Sequence, residues 1–137
     1  MKISETVEFL HEVGGVTIRL TLQQAGRDLL VLLTGGDAPH VGSVIVAAPR
    51  PSLRGVGMSA TSNVINRSGH YDEVPGRRVA ERLAASLNAY LVCACGIHVD
   101  GATSDEIDKV LDCCDRLVEQ AENYLLKKNG FFGHMCG

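Results

Sequence analysis

The stretch CGIHVDGAT, residues 95–103, connects an apolar run to an amphipathic helical pattern. Thr103 and Glu106 have the spacing of a capping box, in which two side chains satisfy backbone N–H groups at a helix start. A strand that ends in glycines beside a helix N-terminus directs N–H groups and the positive end of the helix dipole into the intervening loop. This stretch therefore predicts a strand, a loop suited to an anion and a helix, in that order.

Two other stretches repeat the same ingredients: glycines, one histidine, and an aspartate within three residues of it. They are TGGDAPHVG, residues 34–42, and SGHYDEVPG, residues 68–76. We call residues 34–42, 68–76 and 95–103 the first, second and third histidine loops. A packed core does not require three such loops, so we expect a shared functional site if the fold brings them together.

Bulk composition indicates one ordinary globular domain, residues 1–126, followed by a C-terminal tail, residues 127–137. The 137 residues are 45% hydrophobic and 21% charged, with a net charge of −3 and no basic cluster. This balance argues against disorder and against nucleic-acid binding. The longest aliphatic run, residues 29–33, is too short for a membrane span, and the N-terminus lacks the apolar core of a signal peptide. We therefore expect a cytoplasmic protein without a membrane partner.

The five cysteines include no C-x-x-C pair. A chain with this much core potential has little need of disulfides, so free reduced thiols are expected. Cys93 and Cys95 fall on one side of a predicted strand, and Cys114 falls on the apolar stripe of the last helix. We interpret these thiols as small packing residues.

The first half of the chain has the periodicity of strands. Residues 6–10 and 16–22 alternate apolar and polar side chains, which predicts two half-buried strands joined at Gly14-Gly15. Residues 29–34 (LLVLLT) and 43–48 (SVIVAA) are apolar on both faces and predict central strands. The short links suggest an antiparallel meander whose third link is the first histidine loop.

Residues 58–65 (MSATSNVI) predict a polar strand. In extended conformation, Ser59, Thr61 and Asn63 share one face, and Ser62 lies on the other. A strand so rich in hydroxyl groups is a poor core strand. It could instead offer hydrogen bonds to a polar ligand.

The second half predicts helix, strand and helix. Pro75 lies in a first turn, and apolar spacing continues to a helix end near Asn88. Residues 90–95 (YLVCAC) are typical of a buried strand. The last helix has an apolar stripe that ends at Leu125 and an opposite acidic row, which we interpret as a solvated face. The predicted fold is α+β, a largely antiparallel sheet of about six strands with two helices packed on it, in the order β-β-β-β-β-α-β-α.

The histidines admit two interpretations. His98 could simply hydrogen-bond its neighbouring aspartate and orient the loop, or it could bind a ligand. The recurrence of His40 and His70 in similar loops favours a functional role. Imidazoles beside carboxylates could also ligate a divalent metal ion, although no helical H-x-x-x-H spacing is present. Gly96, His98 and Asp100 have no structural role that the sequence makes evident, so we single them out as the residues to test.

The glycines of the first histidine loop are similarly ambiguous. They could form a plain hairpin turn, or a backbone nest that holds a phosphate with Arg50, Arg54 or Arg67 nearby. Neither a GxGxxG nor a Walker sequence is present, so dinucleotide and Walker-type sites are not supported. No G-x-S-x-G frames the serines, which argues against a hydrolase triad.

The succession of motifs along the chain resembles a known family. The segments GRDLLVLLTGGDAPHVGSVIVA, PRPS, SATSNV, GHYDE, AERLAASLN and GIHVDGATSDEID, spanning about residues 26–125, are similar to the LpdD-like prenylated-flavin chaperones. These are small accessory proteins of UbiD-type non-oxidative decarboxylases. The order of elements is also similar to that of proteasome assembly chaperones, a fold analogy that identifies no ligand.

The resemblance implies that the protein binds prenylated FMN and delivers it, in mature form, to a UbiD-type decarboxylase apoenzyme. It implies an accessory protein and not an enzyme. Because the chain has no tryptophan to sandwich a flavin ring, the cofactor could be shared between copies of a homo-oligomer. The expected metal ligands, should a divalent ion bridge the phosphate, are His40, His70 and His98. The expected cofactor-binding residues are Gly35, Gly36, Asp37, His40, Ser59, Thr61, Ser62, His70, Glu73, His98 and Asp100.

Two alternatives of a different class remain open. One is a small enzyme in which His98 or His70 acts as a general acid or base. The other is a ligand-free protein-assembly chaperone that contacts only protein, through its loops, its sheet edge or the Phe131-Phe132 tail.

Overall fold

The computed structural model of the chain describes residues 6–67 and 73–129, with side chains described as far as Lys127. All eight predicted elements occur there in the predicted order, and most are longer than their sequence patterns indicate. The strands and helices are β1 Thr6–Val13, β2 Val16–Ala25, β3 Asp28–Gly36, β4 Ser43–Pro51, β5 Met58–Asn66, α1 Glu73–Leu87, β6 Leu91–His98 and α2 Ser104–Asn129.

Within the described residues the strands form one six-stranded sheet in the order β1-β2-β3-β6-β4-β5. The pairs β1/β2, β2/β3, β6/β4 and β4/β5 are antiparallel, and β3/β6 is parallel. The α+β class with a largely antiparallel sheet is confirmed. The predicted meander is wrong at its third link, because β6 lies between β3 and β4. A parallel pair requires a long crossover, which β4, β5 and α1 supply.

The described helices pack on one face of this sheet. Helix α1 lies on β4, β5 and β6, and α2 lies on β1 and β2. Burial of apolar area between these layers stabilises the fold. Neither helix of the described ranges combines the length and apolarity needed to cross a lipid bilayer. The largest fully buried side chains are Ile18, Leu20, Leu22, Leu29, Leu33, Ile45, Leu83, Leu87, Leu117, Leu125, Val79 and Val118.

Two arginines of α1 bind the acidic row of α2. Arg78 donates two hydrogen bonds to the Asp115 carboxylate at 2.8 and 2.7 Å, and Arg82 donates to Glu122 at 3.1 Å. The hydrogen bond from Arg78 lowers the pKa of Asp115. The prediction of a wholly solvated acidic face is therefore wrong at Asp115 and Glu122, because the helices lie close enough for ion pairs across their seam.

The cysteine predictions are confirmed for the described thiols. Cys93, Cys95, Cys113 and Cys114 are buried thiols that form no disulfide with one another. Burial raises the pKa of Cys93 and of Cys114 to about 12, and that of Cys113 to about 11. Since the thiolate is the reactive form, these groups act as apolar packing atoms in the folded chain. Cys136 lies outside the described residues.

Candidate functional site

The topology brings the first and third histidine loops to one edge of the sheet. The parallel strands β3 and β6 end together, with Gly36 paired to His98. Strand β4 begins at this edge, where Ser43 pairs with both Cys95 and Asn66. Both described helices also begin at these loops, α1 at Glu73 within the second histidine loop and α2 directly after the third. We call residues 36–42, 66–67, 73–74 and 97–107 the loop edge.

Hydrogen bonds join the first and third histidine loops. The Asp37 amide donates to the His98 carbonyl at 2.7 Å. The Asp37 carboxylate accepts a hydrogen bond of 2.9 Å from the Asp100 amide. His98 Nε2 in turn donates to Asp100 Oδ1 at 2.7 Å. Asp100 therefore orients the His98 ring and Asp37 fixes the backbone on either side of it, while 52% of the His98 side chain stays exposed.

Two glycines allow these loops to approach each other. Gly36 has a φ of +85°, and a Cβ atom there would overlap the His98 carbonyl. A Cβ atom on Gly96 would overlap the His40 carbonyl. The interpretation that Gly96 has no structural role is therefore wrong, because any side chain at this position displaces the first histidine loop. His40 is held further by a hydrogen bond of 2.9 Å from its Nδ1 to the Ala38 carbonyl.

The first histidine loop does not form the hairpin turn that the sequence left open. Gly35 and Gly36 are the last residues of β3, and the chain then crosses the end of β6 before it enters β4. The Gly42 amide donates to the Cys95 carbonyl at 2.9 Å, which fixes this crossing. The loop thus bridges two strands that are not neighbours.

The second histidine loop is described only from Glu73 onward. Residues 68–72, which include His70, lie outside the described residues. On the preceding side, Arg67 donates from its amide to the Gly42 carbonyl at 2.7 Å and from Nη1 to the Val41 carbonyl at 2.9 Å. On the following side, Glu73 accepts a hydrogen bond of 3.0 Å from Asn66 Nδ2. The described residues on both sides of positions 68–72 therefore belong to the loop edge.

Charge is distributed unevenly along the loop edge. Of the three arginines considered for an anion, Arg67 lies there, whereas Arg50 and Arg54 lie at the opposite end of β4 and in the β4–β5 turn. The side nearest α2 carries Asp37, Asp100 and the acidic first turn of α2. On the α1 side the carboxylate of Glu73 is paired with Arg77 at 3.8 Å. An anionic group is therefore favoured near Arg67 over the side that carries Asp37 and Asp100.

The polar strand has its hydroxyl groups away from the loop edge. Ser62 donates to Glu81 of α1 at 2.5 Å, and Thr61 accepts from Arg50 Nε at 2.8 Å. Ser59 is seven positions from the strand end at Asn66, about 23 Å along an extended chain. The structure therefore brings together Gly35, Gly36, Asp37, His40, Glu73, His98 and Asp100, and it places Ser59, Thr61 and Ser62 elsewhere on β5.

Three exposed aliphatic side chains also occupy the loop edge. Val41 follows His40 in the first histidine loop, Val74 lies in the first turn of α1, and Ile107 lies in the first turn of α2; they are 44%, 58% and 50% exposed. Sequence reasoning missed Val41 and Val74 because isolated aliphatic residues have no distinctive pattern. It assigned Ile107 to the apolar stripe of the last helix, but the structure leaves this side chain half exposed. Apolar groups beside glycines, histidines and an arginine could contact the ring of a ligand whose charged end is bound nearby.

The metal ligands predicted from sequence are only partly described. Among the described residues, no three His, Cys, Asp or Glu side chains converge to hold a metal ion. The predicted capping box is present, with the Thr103 amide donating to Glu106 Oε1 and the Glu106 amide donating to Thr103 Oγ1, each at 3.2 Å. Those two residues stabilise the start of α2.

Comparisons with known proteins are consistent with this architecture. Residues 12–126 match the family described as the prenylated flavin chaperone LpdD-like domain. Protein LpdD of Lactiplantibacillus plantarum is 29% identical over 121 residues, which cover 85% of this chain and 83% of that protein. The fold is similar, with a TM-score of 0.55, to a chain in the crystal structure of a novel chaperone complex for yeast 20S proteasome assembly. That similarity covers 90% of this chain and 99% of the yeast chain at 12% identity, and it concerns the fold alone.

Proposed function

The chain belongs to the family of prenylated flavin chaperone LpdD-like domains, and from that premise we propose that it binds prenylated FMN at the loop edge. We propose further that it delivers the mature cofactor to a UbiD-type decarboxylase apoenzyme in the cytoplasm. One observation carries the proposal: the carboxyl ends of the parallel strands β3 and β6 meet where two helices begin. In open α/β sheets, ligands bind outside the carboxyl ends of parallel strands, and β3 and β6 form such a parallel pair in this sheet.

The residues at the loop edge suit the phosphate end of the cofactor. Arg67 supplies an exposed guanidinium, which donates to the Val41 carbonyl, and its neighbour Asn66 binds Glu73 at the start of α1. Phosphates are favoured by guanidinium groups and by helix N-termini. The acidic side, with Asp37 and Asp100, disfavours the phosphate. We therefore assign the phosphate to the Arg67 side.

The flavin ring requires apolar contacts together with polar partners at its heteroatoms. Val41, Val74 and Ile107 supply exposed aliphatic contacts. His40 and His98 supply imidazole groups on the first and third histidine loops. These residues suit a ring in a chain that has no tryptophan. A carrier must also release its cargo, and such an open, partly exposed site favours release.

The binding role requires no catalytic step on this chain. When bound in the decarboxylase, prenylated FMN supplies the chemistry of decarboxylation. Residues of the loop edge would bind, orient and release the cofactor. The four buried thiols, which form no disulfide with one another, suit the reducing conditions of the cytoplasm.

The test is an anaerobic titration of the purified full chain with reduced prenylated FMN, followed by flavin absorbance and fluorescence. We expect a complex with one cofactor per chain, and increased activity when it is mixed with a UbiD-type apoenzyme. Absence of binding at micromolar concentrations would overturn the proposal. Turnover of a substrate by the isolated chain, abolished in His98→Ala, would support the enzyme alternative instead.

A further inference from the structure

Strand β5 forms one edge of the described sheet. It pairs with β4 along its whole length, from Met58 opposite Pro51 to Asn66 opposite Ser43, in an unbroken register. No described strand lies on its other side. An edge strand turns half of its backbone N–H and C=O groups away from the sheet, where they can pair with another extended segment. We call this outward-facing backbone the β5 edge.

The hydrogen bonds at the two ends of the β4–β5 pair show which groups face outward. The Ser52 amide donates to the Gly57 carbonyl at 3.0 Å, and the Arg67 amide donates to the Gly42 carbonyl at 2.7 Å. Bonded and non-bonded positions alternate along an antiparallel pair. Both bonds have the same phase, so the odd-numbered residues of β5 bond to β4 and the even-numbered residues form the β5 edge. The edge residues are Met58, Ala60, Ser62, Val64 and Asn66.

The prolines of β4 agree with this assignment. Pro49 and Pro51 have no N–H group to donate, and they lie opposite the edge residues Ala60 and Met58. A proline is tolerated in a strand only where its nitrogen is not needed for a ladder bond. Among the described residues, none of the backbone hydrogen bonds outside helices and strands involves the five edge residues. Their N–H and C=O groups are therefore available to a further strand.

Strand β5 also lacks the features that usually protect a sheet edge. Charged side chains, prolines and bulges discourage an edge strand from pairing with other chains. The β5 sequence MSATSNVIN contains no charge and no proline. Strand β1, at the other edge of the described sheet, has two glutamates, Glu8 and Glu12. Of the two edges, β5 is therefore the one suited to accept a strand.

Cationic side chains outnumber acidic ones around β5. Arg50 donates to Thr61 of the strand at 2.8 Å. Arg54 lies in the turn before the strand, and Arg67 directly follows its end. The adjacent row on α1 consists of Glu73, Arg77 and Glu81. This balance of charge favours an acidic segment at the β5 edge.

We propose that the β5 edge binds an extended acidic segment of a partner polypeptide as a further strand of the sheet. The added strand exchanges backbone hydrogen bonds with the edge residues, which supply the affinity. Acidic side chains at its two ends lie near Arg54 and Arg67. Nine residues of β5 accommodate a segment of about 30 Å. This inference does not depend on cofactor binding.

The C-terminal residues of the same chain are too few to be this strand. Helix α2 runs along β1, because Cys113 and Tyr124 contact His11 and Phe9 of that strand. Strand β1 lies at the opposite side of the sheet from β5, about 24 Å away. Residues 130–137 span about 26 Å when extended. Crossing the sheet would use that length and leave none to pair along β5.

The test is a titration of the full chain with a fluorescein-labelled peptide, EEVTVTVTVEE, followed by fluorescence anisotropy. Its centre has the alternation and β-branched residues of a strand, and its ends are acidic. We expect a Kd of about 10–100 µM. The control peptide, KKVTVTVTVKK, has the same centre and should bind about tenfold more weakly.

Hydrogen exchange identifies the site of binding. In the chain without peptide, the amides of Ala60, Ser62 and Val64 should exchange faster than those of Thr61 and Asn63, which bond to β4. Saturating peptide should slow the first set about tenfold and leave the second set unchanged. This alternation distinguishes an added strand from a contact made by side chains.

A proline substitution tests the backbone directly. Ser62→Pro removes one outward N–H group at an edge position, where proline is compatible with a strand. It should weaken peptide binding about tenfold, whereas the matched control Ser62→Ala keeps the N–H group and should bind like wild type. Far-UV circular dichroism shows whether the proline variant is folded, and the exchange pattern of the wild type tests the proposal without any variant.

Three results would overturn the proposal. The first is no binding of EEVTVTVTVEE at about 1 mM, the limit of weak association. The second is slow exchange of Ala60, Ser62 and Val64 in the chain without peptide, because the edge would then already be covered. The third is equal or tighter binding of the lysine peptide, because the partner segment would then not be acidic.

Discussion

Gly96 and His40 pack backbone against backbone. A Cβ atom on Gly96 would overlap the His40 carbonyl group and come within 3.1 Å of the imidazole Cγ. The end of β6 and the first histidine loop are thus held at a distance that only glycine permits. This contact sets the position of His40 relative to the third histidine loop.

Gly96→Ala should therefore destabilise the protein and displace the first histidine loop. Overlap with a backbone carbonyl cannot be relieved by a rotamer change, so we expect a loss of about 1–3 kcal/mol in the free energy of unfolding. Urea unfolding measures this loss, and amide chemical shifts of residues 37–42 report the displacement.

Gly101→Ala is the control, because a Cβ atom on Gly101 would meet no atom within 4 Å, although the residue has a φ of +62°. It should cost about 1–2 kcal/mol without moving residues 37–42. Native shifts in Gly96→Ala would contradict the steric argument.

Asp37→Ala should loosen the third histidine loop. The Asp37 carboxylate accepts the hydrogen bond of the Asp100 amide at 2.9 Å. Loss of one hydrogen bond worth about 1 kcal/mol predicts roughly fivefold to tenfold faster hydrogen exchange at that amide. Global stability should change little, because the site is exposed. Asp37→Asn keeps an acceptor oxygen and should show a smaller increase; equal exchange rates in wild type and Asp37→Ala would refute the link.

The secondary structure could be predicted because its signals are local. Alternation marks β2, an apolar stripe marks α2, and Thr103 with Glu106 marks a helix start. The pairing of β3 with β6 could not be predicted in the same way. Leu32 and Ala94 are neighbours in the sheet, yet they are far apart in sequence. No local pattern indicates that a strand from the end of the chain inserts between β3 and β4.

The candidate site, like the fold, could be predicted only where its signals are local. Repeated glycine, histidine and aspartate indicated loops that could act together, and the topology brings the first and third to one edge. The steric role of Gly96 depends on a tertiary contact that composition does not encode. The same is true of Arg67, which lies at the loop edge whereas Arg50 and Arg54 do not. The binding role of His98 stays a prediction, and His70 lies outside the described residues.

The buried thiols should resist alkylation in the native state. Burial raises the pKa of Cys93 and Cys114 to about 12 and that of Cys113 to about 11, so little thiolate forms near neutral pH. Iodoacetamide should modify these residues only as the chain unfolds, and all of them rapidly in denaturant. Peptide mass spectrometry separates them from Cys136. Rapid native labelling of Cys93 would show that β6 is more accessible than the structure indicates.

The Arg78–Asp115 pair should make stability depend on pH. Arg78 lowers the pKa of Asp115 in the folded chain. Such a carboxyl stabilises the fold above its unfolded pKa of about 4, and the contribution is lost as pH falls through the lower folded value. Arg78→Ala should therefore reduce stability near neutral pH, by less than about 1 kcal/mol since both groups are partly exposed.

Urea unfolding at neutral and at strongly acidic pH measures this effect. The deficit of Arg78→Ala should disappear once Asp115 is protonated in the folded wild type. Arg77→Ala is a suitable control, because Arg77 pairs with Glu73 of its own helix at 3.8 Å. A deficit that persists unchanged in acid would assign the role of Arg78 to packing instead.

Arg67→Ala should weaken binding of prenylated FMN, if the phosphate lies on the α1 side as proposed. Removal of a charged hydrogen-bond donor costs about 1.5–3 kcal/mol, or roughly tenfold to a hundredfold in Kd. The matched control is Arg54→Ala, which should leave Kd unchanged because Arg54 lies in the β4–β5 turn.

Arg67 also binds the Val41 carbonyl, so Arg67→Lys separates the effect of charge from that of loop anchoring. If charge dominates, the lysine variant should recover part of the affinity, and the wild-type Kd should rise with salt more steeply than that of Arg67→Ala. Equal Kd values for Arg67→Ala and Arg54→Ala would place the phosphate elsewhere on the loop edge.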